Sequence, residues 1–232
     1  MNLIESKVLT IIPARAGSKR VPGKNKKKLA GKELIRYAIE AALNSKRTNT
    51  IVVSSDDEDI LNVANEYSRI ISLRRPIEIS GDEAKAITYV HHALEQLDGN
   101  YDIIAIVQPT SPFTLSEDID ATIDLLSNPE ADSGVSVMKL DHAIHPLKLK
   151  IMEGEELLPY MEEEKGRMAA HELTDLYARN GSVYVSRIET IEQGKIIGDR
   201  CLGYVMPRER SLDINDALDF EFAEFIIRKY GQ

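Results

Sequence analysis

Residues 9–25, LTIIPARAGSKRVPGKN, decide the fold and the place of the functional site. The stretch continues an apolar run, Val8 to Ile12, which is bounded by Pro13 and Gly17. An apolar run of this length between turn-forming residues predicts a strand buried on both faces. Open α/β sheets bind their ligands at the carboxyl ends of the strands, so the loop that follows this strand is the first candidate site.

The loop after this strand has the composition of an anion site. Its glycines allow the backbone to approach a ligand closely, and its N–H groups and cations can bind anionic oxygens. We therefore predict polyphosphate binding by Arg15, Ser18, Lys24 and Asn25. The lysines at 26–28 are interpreted as a solvated turn. The loop matches neither the Walker pattern, because Gly17 and Gly23 lie too far apart, nor the dinucleotide pattern G-x-G-x-x-G.

Composition limits the class of protein. The 232 residues, 43% of them hydrophobic, suit one α/β domain with a sizeable insertion. The net charge of −9 argues against nucleic acid as the partner, although cations concentrate between Lys19 and Lys32. Cys201 is alone, which excludes an intrachain disulfide and favours a reducing compartment. No stretch has membrane-spanning length or resembles a signal peptide, so we expect a soluble, cytoplasmic protein without membrane contact.

Apolar runs and amphipathic stretches follow each other along the chain. Further strands are predicted at 51–54, 70–73, 103–107, 134–138, 183–186 and 204–206. Helices are predicted over 32–45, around 60–67, 87–97 and 119–126, and over 217–230. Residues 139–178 lack clear periodicity and contain an acidic run, which indicates an insertion on an α/β core.

Polar residues ahead of the helices are predicted to cap them. Asp56 and Asp57 follow the second strand and fit the start of the next helix. Asp82 is predicted to cap the helix that contains Ile87. Thr114 and Glu117 have the spacing of a capping box.

Six motifs in order carry a family resemblance. P-A-R-A-G-S-K at 13–19 is followed by K-N at 24–25, and the later motifs are R-P-I-E at 75–78, Q-P-T-S-P at 108–112, H-P-L-K at 145–148, N-G-S-V-Y at 180–184 and D-I-N at 213–215. With these motifs the chain resembles, over nearly its whole length, the cytidylyltransferases that activate acidic 3-deoxy sugars, above all the acylneuraminate (CMP-sialic acid) synthetases.

The resemblance implies an architecture. It implies a three-layer, Rossmann-like nucleotidyltransferase fold of class α/β with a mainly parallel sheet. Residues 1–138 and 179–232 would form the nucleotide-binding core. Residues 139–178 would form an inserted dimerisation and substrate subdomain, which implies a homodimer.

The resemblance also implies an activity. CTP and an acidic 3-deoxy-2-ulosonic sugar would give a CMP-sugar and pyrophosphate, with Mg²⁺ as cofactor and a role in lipopolysaccharide or capsule biosynthesis. Arg15, Lys24 and Asp213 would be the catalytic residues, and Arg75, Ser80 and Gly81 would bind the base. Gln108, Lys148 and Tyr184 would contact the sugar. From pattern alone, Gln108 could instead belong to a rigid connector and Tyr184 could simply pack in the core.

Asp213 and Asn215 are the predicted metal ligands. In an extended segment they project to the same side, and Mg²⁺ takes few protein ligands when phosphates complete its shell. The alternative is that residues 213–216 cap the last helix. Familiar relatives have Asp-x-Asp here, and an arginine at the position of Ala178, so the chain departs from the family pattern twice.

Three other readings stay open. The same chemistry could act on 3-deoxy-manno-octulosonate, a legionaminic- or pseudaminic-type sugar, or a phosphonate. The two departures are compatible with a nucleotide-binding, non-catalytic paralogue. A zinc site of His142, His145 and His171 is a third alternative, although these spacings fit no standard ligand pattern.

Overall fold

The computed structural model describes residues 5–161 and 173–230. The strands of these residues are β1 Val8–Pro13, β2 Lys28–Leu29, β3 Lys32–Glu33, β4 Thr50–Ser55, β5 Ile70–Arg74, β6 Ile103–Val107, β7 Ser133–Lys139, β8 Lys150–Glu153, β9 Glu156–Pro159, β10 Tyr177–Arg187 and β11 Cys201–Val205. The helices are α1 Leu34–Asn44, α2 Glu58–Asn65, α3 Ala86–Gln96, α4 Ser116–Asp124, α5 Ile188–Glu192 and α6 Ala217–Tyr230.

A seven-stranded sheet in the order β11-β7-β10-β6-β1-β4-β5 forms the centre of the fold. β1, β4, β5 and β6 are parallel to one another, and β11 is parallel to β7. β10 runs antiparallel to both of its neighbours, β6 and β7. The prediction of a mainly parallel α/β sheet is confirmed.

The central strands are buried on both faces, as their apolar runs predict. In β1, Val8 and Ile12 belong to the core on one face of the sheet, and Leu9 and Ile11 to the core on the other. Alternation of this kind follows from the two-residue period of a strand. Every residue of β6 is likewise buried.

Helices cover both faces and give three layers. Apolar side chains of α1, α2 and α4 pack on one face, and those of α3 and α5 on the other. α6 packs separately with Leu29, Leu34, Phe113 and Ile214. The packing of α6 therefore connects the segment after β11, which contains Ile214, with β2, which contains Leu29.

The predicted insertion contains a small hairpin of its own. β8 and β9 pair antiparallel in a separate two-stranded sheet. β10 begins at Tyr177, two positions before the predicted return to the core at 179. Residues 162–172 lie outside the described part of the chain, and the boundaries 139–178 stay a prediction.

Of the predicted helix caps, one is confirmed. Asp57 caps α2 by accepting from the N–H of Asp59 at 2.9 Å. The prediction for Asp82 is wrong, because α3 begins at Ala86 with Lys85 at its N-cap. The predicted box of Thr114 and Glu117 is also wrong.

At the start of α4 a different residue performs the capping. α4 begins one residue later than the predicted box would place it, so its third residue is Asp118 rather than Glu117. The Asp118 carboxylate accepts from the N–H of Leu115 at 2.9 Å. The hydroxyl of Thr114 donates instead to the carbonyl of Ser111.

Candidate active site

A cavity of about 310 Å³ lies at the carboxyl ends of β1, β5 and β6. Its wall is built from the loops that follow these strands and from the start of α3. The lining residues are Pro13, Arg15, Ser18, Lys24, Asn25, Arg75, Gly81, Asp82, Ala84, Ala86, Tyr89, Gln108, Pro109 and Thr110. This is where an α/β sheet is expected to bind its ligand.

The cavity is electropositive in an acidic protein. Arg15, Lys24 and Arg75 line it, against the single carboxylate of Asp82 among the residues that the structure describes. The net charge of the chain is −9. Local concentration of cations in a concave, partly desolvated site favours an anionic ligand.

Backbone contacts with β4 fix the loop after β1. The N–H of Ala14 donates to the carbonyl of Ser54 at 3.0 Å, and the N–H of Ala16 donates to the carboxylate of Asp56 at 2.8 Å. The predicted cap Asp56 therefore holds the loop after β1, and Asp57 performs the capping. Gly23 has a φ of 63°, which an L-residue adopts at a cost, just before the turn that carries Lys24 and Asn25.

Lys24 joins this loop to the segment between β11 and α6. Its ammonium donates to the backbone carbonyl of Ile214 at 2.5 Å. Burial lowers the pKa of Lys24, and the neighbouring carboxylate of Asp213 opposes that shift. The N–H of Ile214 donates to the carbonyl of Thr110 at 2.8 Å, so the same segment is also fixed to the loop after β6.

Asp213 and Asn215 lie side by side, as their spacing predicts, but the amide has turned. Asn215 donates from Nδ2 to Oδ2 of Asp213 at 3.0 Å and to its carbonyl at 3.2 Å. The amide thus presents its donor to the carboxylate, and its oxygen becomes a ligand only after the amide rotates. Within the predicted capping range 213–216, it is Asp216 that caps α6, because its carboxylate accepts from the N–H of Asp219 at 3.0 Å.

Gly181 lies next to the side chain of Asp213. It has a φ of 74°, and a Cβ placed on it would lie 3.4 Å from both Cγ and Oδ2 of Asp213. It sits where β10 departs from regular pairing with β7, between Arg179 and Tyr184. Glycine at this irregularity leaves room for the carboxylate.

Arg75 is buried and anchored rather than free. Its Nε donates to the Ser54 hydroxyl at 3.0 Å and its Nη2 to the Ser54 carbonyl at 2.7 Å. The guanidinium lies 4.7 Å from the ring centre of Tyr89, and burial lowers its pKa. Burial raises the pKa of the Tyr89 hydroxyl, and the nearby guanidinium of Arg75 and side chain of Gln108 oppose that shift. The part of the cavity wall formed by these three residues, Arg75, Tyr89 and Gln108, is therefore held in place.

The other predicted nucleotide contacts are split between the central cavity and a smaller side cavity. Ser18 and Gly81 line both. Ser80 lines only the side cavity, and its hydroxyl donates to the carbonyl of Pro76 at 2.9 Å. Asn25 is buried; its Nδ2 donates to the carbonyl of Arg15 at 3.3 Å, whereas its Oδ1 has no partner among the described residues.

A buried ion pair supports the segment that carries Asp213. Arg210 donates from Nη2 to Oδ1 of Asp118 at 2.5 Å, and Asp118 is fully buried. The hydroxyl of Tyr204 donates to the same carboxylate at 3.2 Å. This contact ties the start of the segment to α4, three residues before Asp213.

Comparison with known proteins assigns the family. The family model described as cytidylyltransferase matches residues 9–197. The chain belongs to the cytidylyltransferase family. The match includes the loop after β1, the region of Arg75 and the loop after β6, and it ends before β11.

Three relatives show the range of named activities in the family. An N-acylneuraminate cytidylyltransferase of Escherichia coli is 31% identical over 97% of this chain and 53% of its own length, so the chain spans about half of that relative. The CMP-N,N'-diacetyllegionaminic acid synthase of Legionella pneumophila is 30% identical over 94% of this chain and 95% of its own. A pseudaminic acid cytidylyltransferase of Campylobacter jejuni is 30% identical, with coverage of 96% and 97%.

Solved structures of other cytidylyltransferases share the fold. CMP:2-keto-3-deoxy-manno-octonic acid synthetase in complex with CTP superposes with a TM-score of 0.71 at 16% identity, covering 97% of this chain and 99% of that chain. The 4-diphosphocytidyl-2C-methyl-D-erythritol synthase of Anaerococcus prevotii gives 0.68 at 13% identity, with coverage of 98% and 99%. The predicted three-layer nucleotidyltransferase fold is confirmed.

Two sugar contacts predicted from the family resemblance lie outside the cavity wall. Lys148 ends a 3-10 turn, Pro146–Lys148, directly before β8. Tyr184 is half-buried in β10 opposite Ile106 and Val135 and packs with the core, and burial raises its pKa. Their contacts with the sugar stay predictions.

The structure does not support the zinc alternative. His142 and His145 line a separate cavity, and His171 lies outside the described residues. In residues 5–161 and 173–230, no group of three or more His, Cys, Asp or Glu side chains could hold a metal ion. The same part of the chain has no helix with the length and apolar character needed to cross a membrane.

Several residues that line the cavity were not predicted as site residues from the sequence. Tyr89 lies on the core-facing side of α3 with Val90 and Ala93, and a tyrosine on a buried face requires a partner for its hydroxyl, which was the available signal. Asp82 and Thr110 carried no such signal. Their contacts, to Arg15 and to Ile214, depend on long-range loop positions.

Proposed function

We propose that this protein transfers CMP from CTP to the anomeric hydroxyl of an acidic 3-deoxy-2-ulosonic, sialic acid-like sugar and releases pyrophosphate. One observation carries the proposal: the ammonium of Lys24, in the cationic loop after β1, is hydrogen-bonded to the segment that holds Asp213. A triphosphate lying along the loop would therefore meet a carboxylate at the same place. Family membership and the named activities of the three relatives support the same reaction.

The cavity offers chemically matching residues to each part of CTP: the triphosphate, the ribose and the base. The backbone and side chain of Ser18, with Arg15 and Lys24, suit the triphosphate, because charge-assisted hydrogen bonds are the strong ones. The unpaired Oδ1 of Asn25 is an acceptor, so it suits a ribose hydroxyl rather than a phosphate oxygen. The anchored guanidinium of Arg75 and the loop at Gly81 would hold the base at the opposite end of the cavity.

The chemistry requires positioning and charge neutralisation more than a covalent catalyst. The anomeric hydroxyl of the sugar loses its proton to water or a phosphate oxygen and its oxygen bonds to the α-phosphorus. The bond from that phosphorus to the bridging oxygen breaks, and pyrophosphate leaves. Arg15 and Lys24 stabilise the charge that accumulates on the phosphate oxygens. Gln108, which lines the cavity with Tyr89, would orient the acceptor.

Magnesium fits the donor set at Asp213 with one adjustment. Asp213 supplies a carboxylate oxygen, and Asn215 supplies a second oxygen once its amide turns away from Asp213. A pair of protein oxygens suits Mg²⁺, which keeps waters and phosphate oxygens in its shell. When bound, the ion would neutralise charge on the triphosphate.

The names of the relatives indicate the class of the acceptor, an acidic sugar, and not which acid it is. The relatives are named for N-acylneuraminic, legionaminic and pseudaminic acids, and the structural neighbour for 2-keto-3-deoxy-manno-octonic acid. Pyrophosphate release and product mass should be measured with CTP and Mg²⁺ across these acids and a phosphonate. We expect a CMP adduct with at least one of them. CTP binding without turnover on any acceptor would favour a non-catalytic paralogue, which the Ala178 and Asn215 departures allow.

We also propose a cytoplasmic homodimer that serves lipopolysaccharide or capsule biosynthesis. Exposed apolar side chains on the β8–β9 hairpin support the dimer: Ile151, Met152, Leu157 and Tyr160 are between 46% and 70% exposed. Apolar area of this kind on one element favours a protein contact. Light scattering should give twice the chain mass for the wild type and the chain mass for Met152→Glu with Leu157→Glu.

A further inference from the structure

Asp82 is the one acidic side chain in the wall of the cavity, as far as the described residues show. It lies on the loop between Ser80 and α3 and also lines the smaller side cavity with Arg15 and Lys19. A carboxylate in a site for a polyanion repels the ligand unless it serves another purpose. Its surroundings in the structure therefore need an explanation.

Each oxygen of the Asp82 carboxylate pairs with one cation of the phosphate loop. Oδ1 accepts from Nη1 of Arg15 at 2.6 Å, and Oδ2 pairs with the ammonium of Lys19. The hydrogen bonds from Lys19 and Arg15 hold the pKa of Asp82 below its ordinary value, so the carboxylate stays ionised near neutral pH. The contact closes the loop after β1 onto the loop before α3.

This contact has no other structural task in the described part of the chain. Lys85 rather than Asp82 lies at the N-cap of α3, and within residues 5–161 and 173–230 the Asp82 carboxylate has no partners besides the two cations. The side chains of Lys19 and Asp82 are 82% and 32% exposed, which makes the ion pair easy to exchange in water.

We infer that Asp82 occupies the anion site in place of a phosphate and is displaced by the triphosphate, so that it selects ligands by their phosphate charge. The inference rests on the proposed function of the cavity. A triphosphate presents several anionic oxygens to Arg15 and Lys19, whereas the carboxylate presents two. Cytidine has no anionic oxygen and gains nothing from the exchange. Return of Asp82 to the two cations would also help pyrophosphate to leave.

Calorimetry on three ligands tests the inference. CTP, pyrophosphate and cytidine should be titrated into the wild type, Asp82→Asn and Asp59→Asn at equal Mg²⁺ concentration. The matched control removes an exposed carboxylate that pairs with Lys26 outside the cavity. We expect Asp82→Asn to bind CTP and pyrophosphate about three- to tenfold more tightly, the range for losing one or two competing surface ion pairs.

The controls make each outcome decisive. Cytidine affinity in Asp82→Asn, and all three affinities in Asp59→Asn, should stay within about twofold of the wild type. Asp82→Glu, which keeps the charge, should behave as the wild type and so exclude loop damage. Unchanged or weaker CTP binding in Asp82→Asn, with normal CTP binding by the wild type, would overturn this inference alone. A wild type that binds no CTP would overturn the proposed function as well.

Discussion

The ammonium of Lys24 donates a hydrogen bond at 2.5 Å to the carbonyl of Ile214, a residue 190 positions later in the chain. Asp213 precedes that carbonyl and Asn215 follows it, so one contact joins the cationic loop to both predicted metal ligands. Several connections hold the segment in place, among them Lys24 to Ile214, Ile214 to Thr110, and Arg210 to Asp118. A rigid support of this kind is what catalysis by positioning requires.

Asp213→Ala should abolish turnover and leave the fold intact. Asp213 is only half-buried, and among the described residues its carboxylate accepts a hydrogen bond only from the exposed Asn215, so its loss should change the free energy of unfolding little. We expect at least about a hundredfold loss of kcat, the usual cost of removing one group that stabilises transition-state charge. The matched control is Asp216→Asn on the same segment, which should keep near wild-type kcat. Full activity of Asp213→Ala would refute the role of this carboxylate.

Gly181→Ala and Gly194→Ala compare backbone strain in contact with Asp213 and backbone strain away from it. Their φ values are 74° and 76°, so each alanine should lower the free energy of unfolding by about 1–2 kcal/mol. A Cβ on Gly181 would lie 3.4 Å from Oδ2 of Asp213, whereas a Cβ on Gly194 has open space. Urea unfolding should therefore show equal losses, and only Gly181→Ala should lose kcat. Equal activity of the two variants would contradict the placement of Asp213.

In the pH profile of kcat/KM for CTP, the fall at alkaline pH should report the deprotonation of Lys24. Burial lowers its pKa below the ordinary value of 10.5, and only the protonated ammonium attracts phosphate. As pH rises through the lowered pKa, the charged fraction and kcat/KM for CTP should both fall, starting at lower pH than for an ordinary lysine. Lys24→Arg should move this limb upward, because guanidinium stays charged. An unmoved limb would show that another group titrates.

Asp118→Ala should destabilise the protein strongly. It would leave Arg210 without its partner at a carboxylate site that is fully buried, and breaking such a pair costs about 3–5 kcal/mol. The control is Glu130→Ala, which removes an exposed pair with Arg200 and should cost at most about 1 kcal/mol. The free energies of unfolding in urea give both values. Similar small losses would mean that the Asp118 pair does not hold the segment.

Strands with continuous apolar runs could be predicted from sequence, because burial on both faces leaves a direct trace. β6 is the clearest case, with five predicted and five observed residues. β10 was predicted as 183–186 but extends over Tyr177–Arg187, because its first half is polar and is paired only through β7. Helix starts were less predictable, since an extended backbone at Lys85 and the side chain of Asp118 replaced the expected caps.

Much of the candidate site could be predicted because its residues lie in loops after buried strands. Arg15, Ser18, Lys24 and Asn25 all line the cavity. The anchoring of Arg75 on Ser54, and the pairing of Asp82 with Arg15 across 67 positions, could not be read from local pattern. Both depend on which loops the sheet order brings together.

A crystal structure with CTP and Mg²⁺ tests the central claim most directly. We expect triphosphate oxygens within hydrogen-bonding distance of Arg15 and Lys24, and the metal at about 2.0–2.1 Å from an oxygen of Asp213. A triphosphate bound away from this loop, or a metal held without Asp213, would contradict the account.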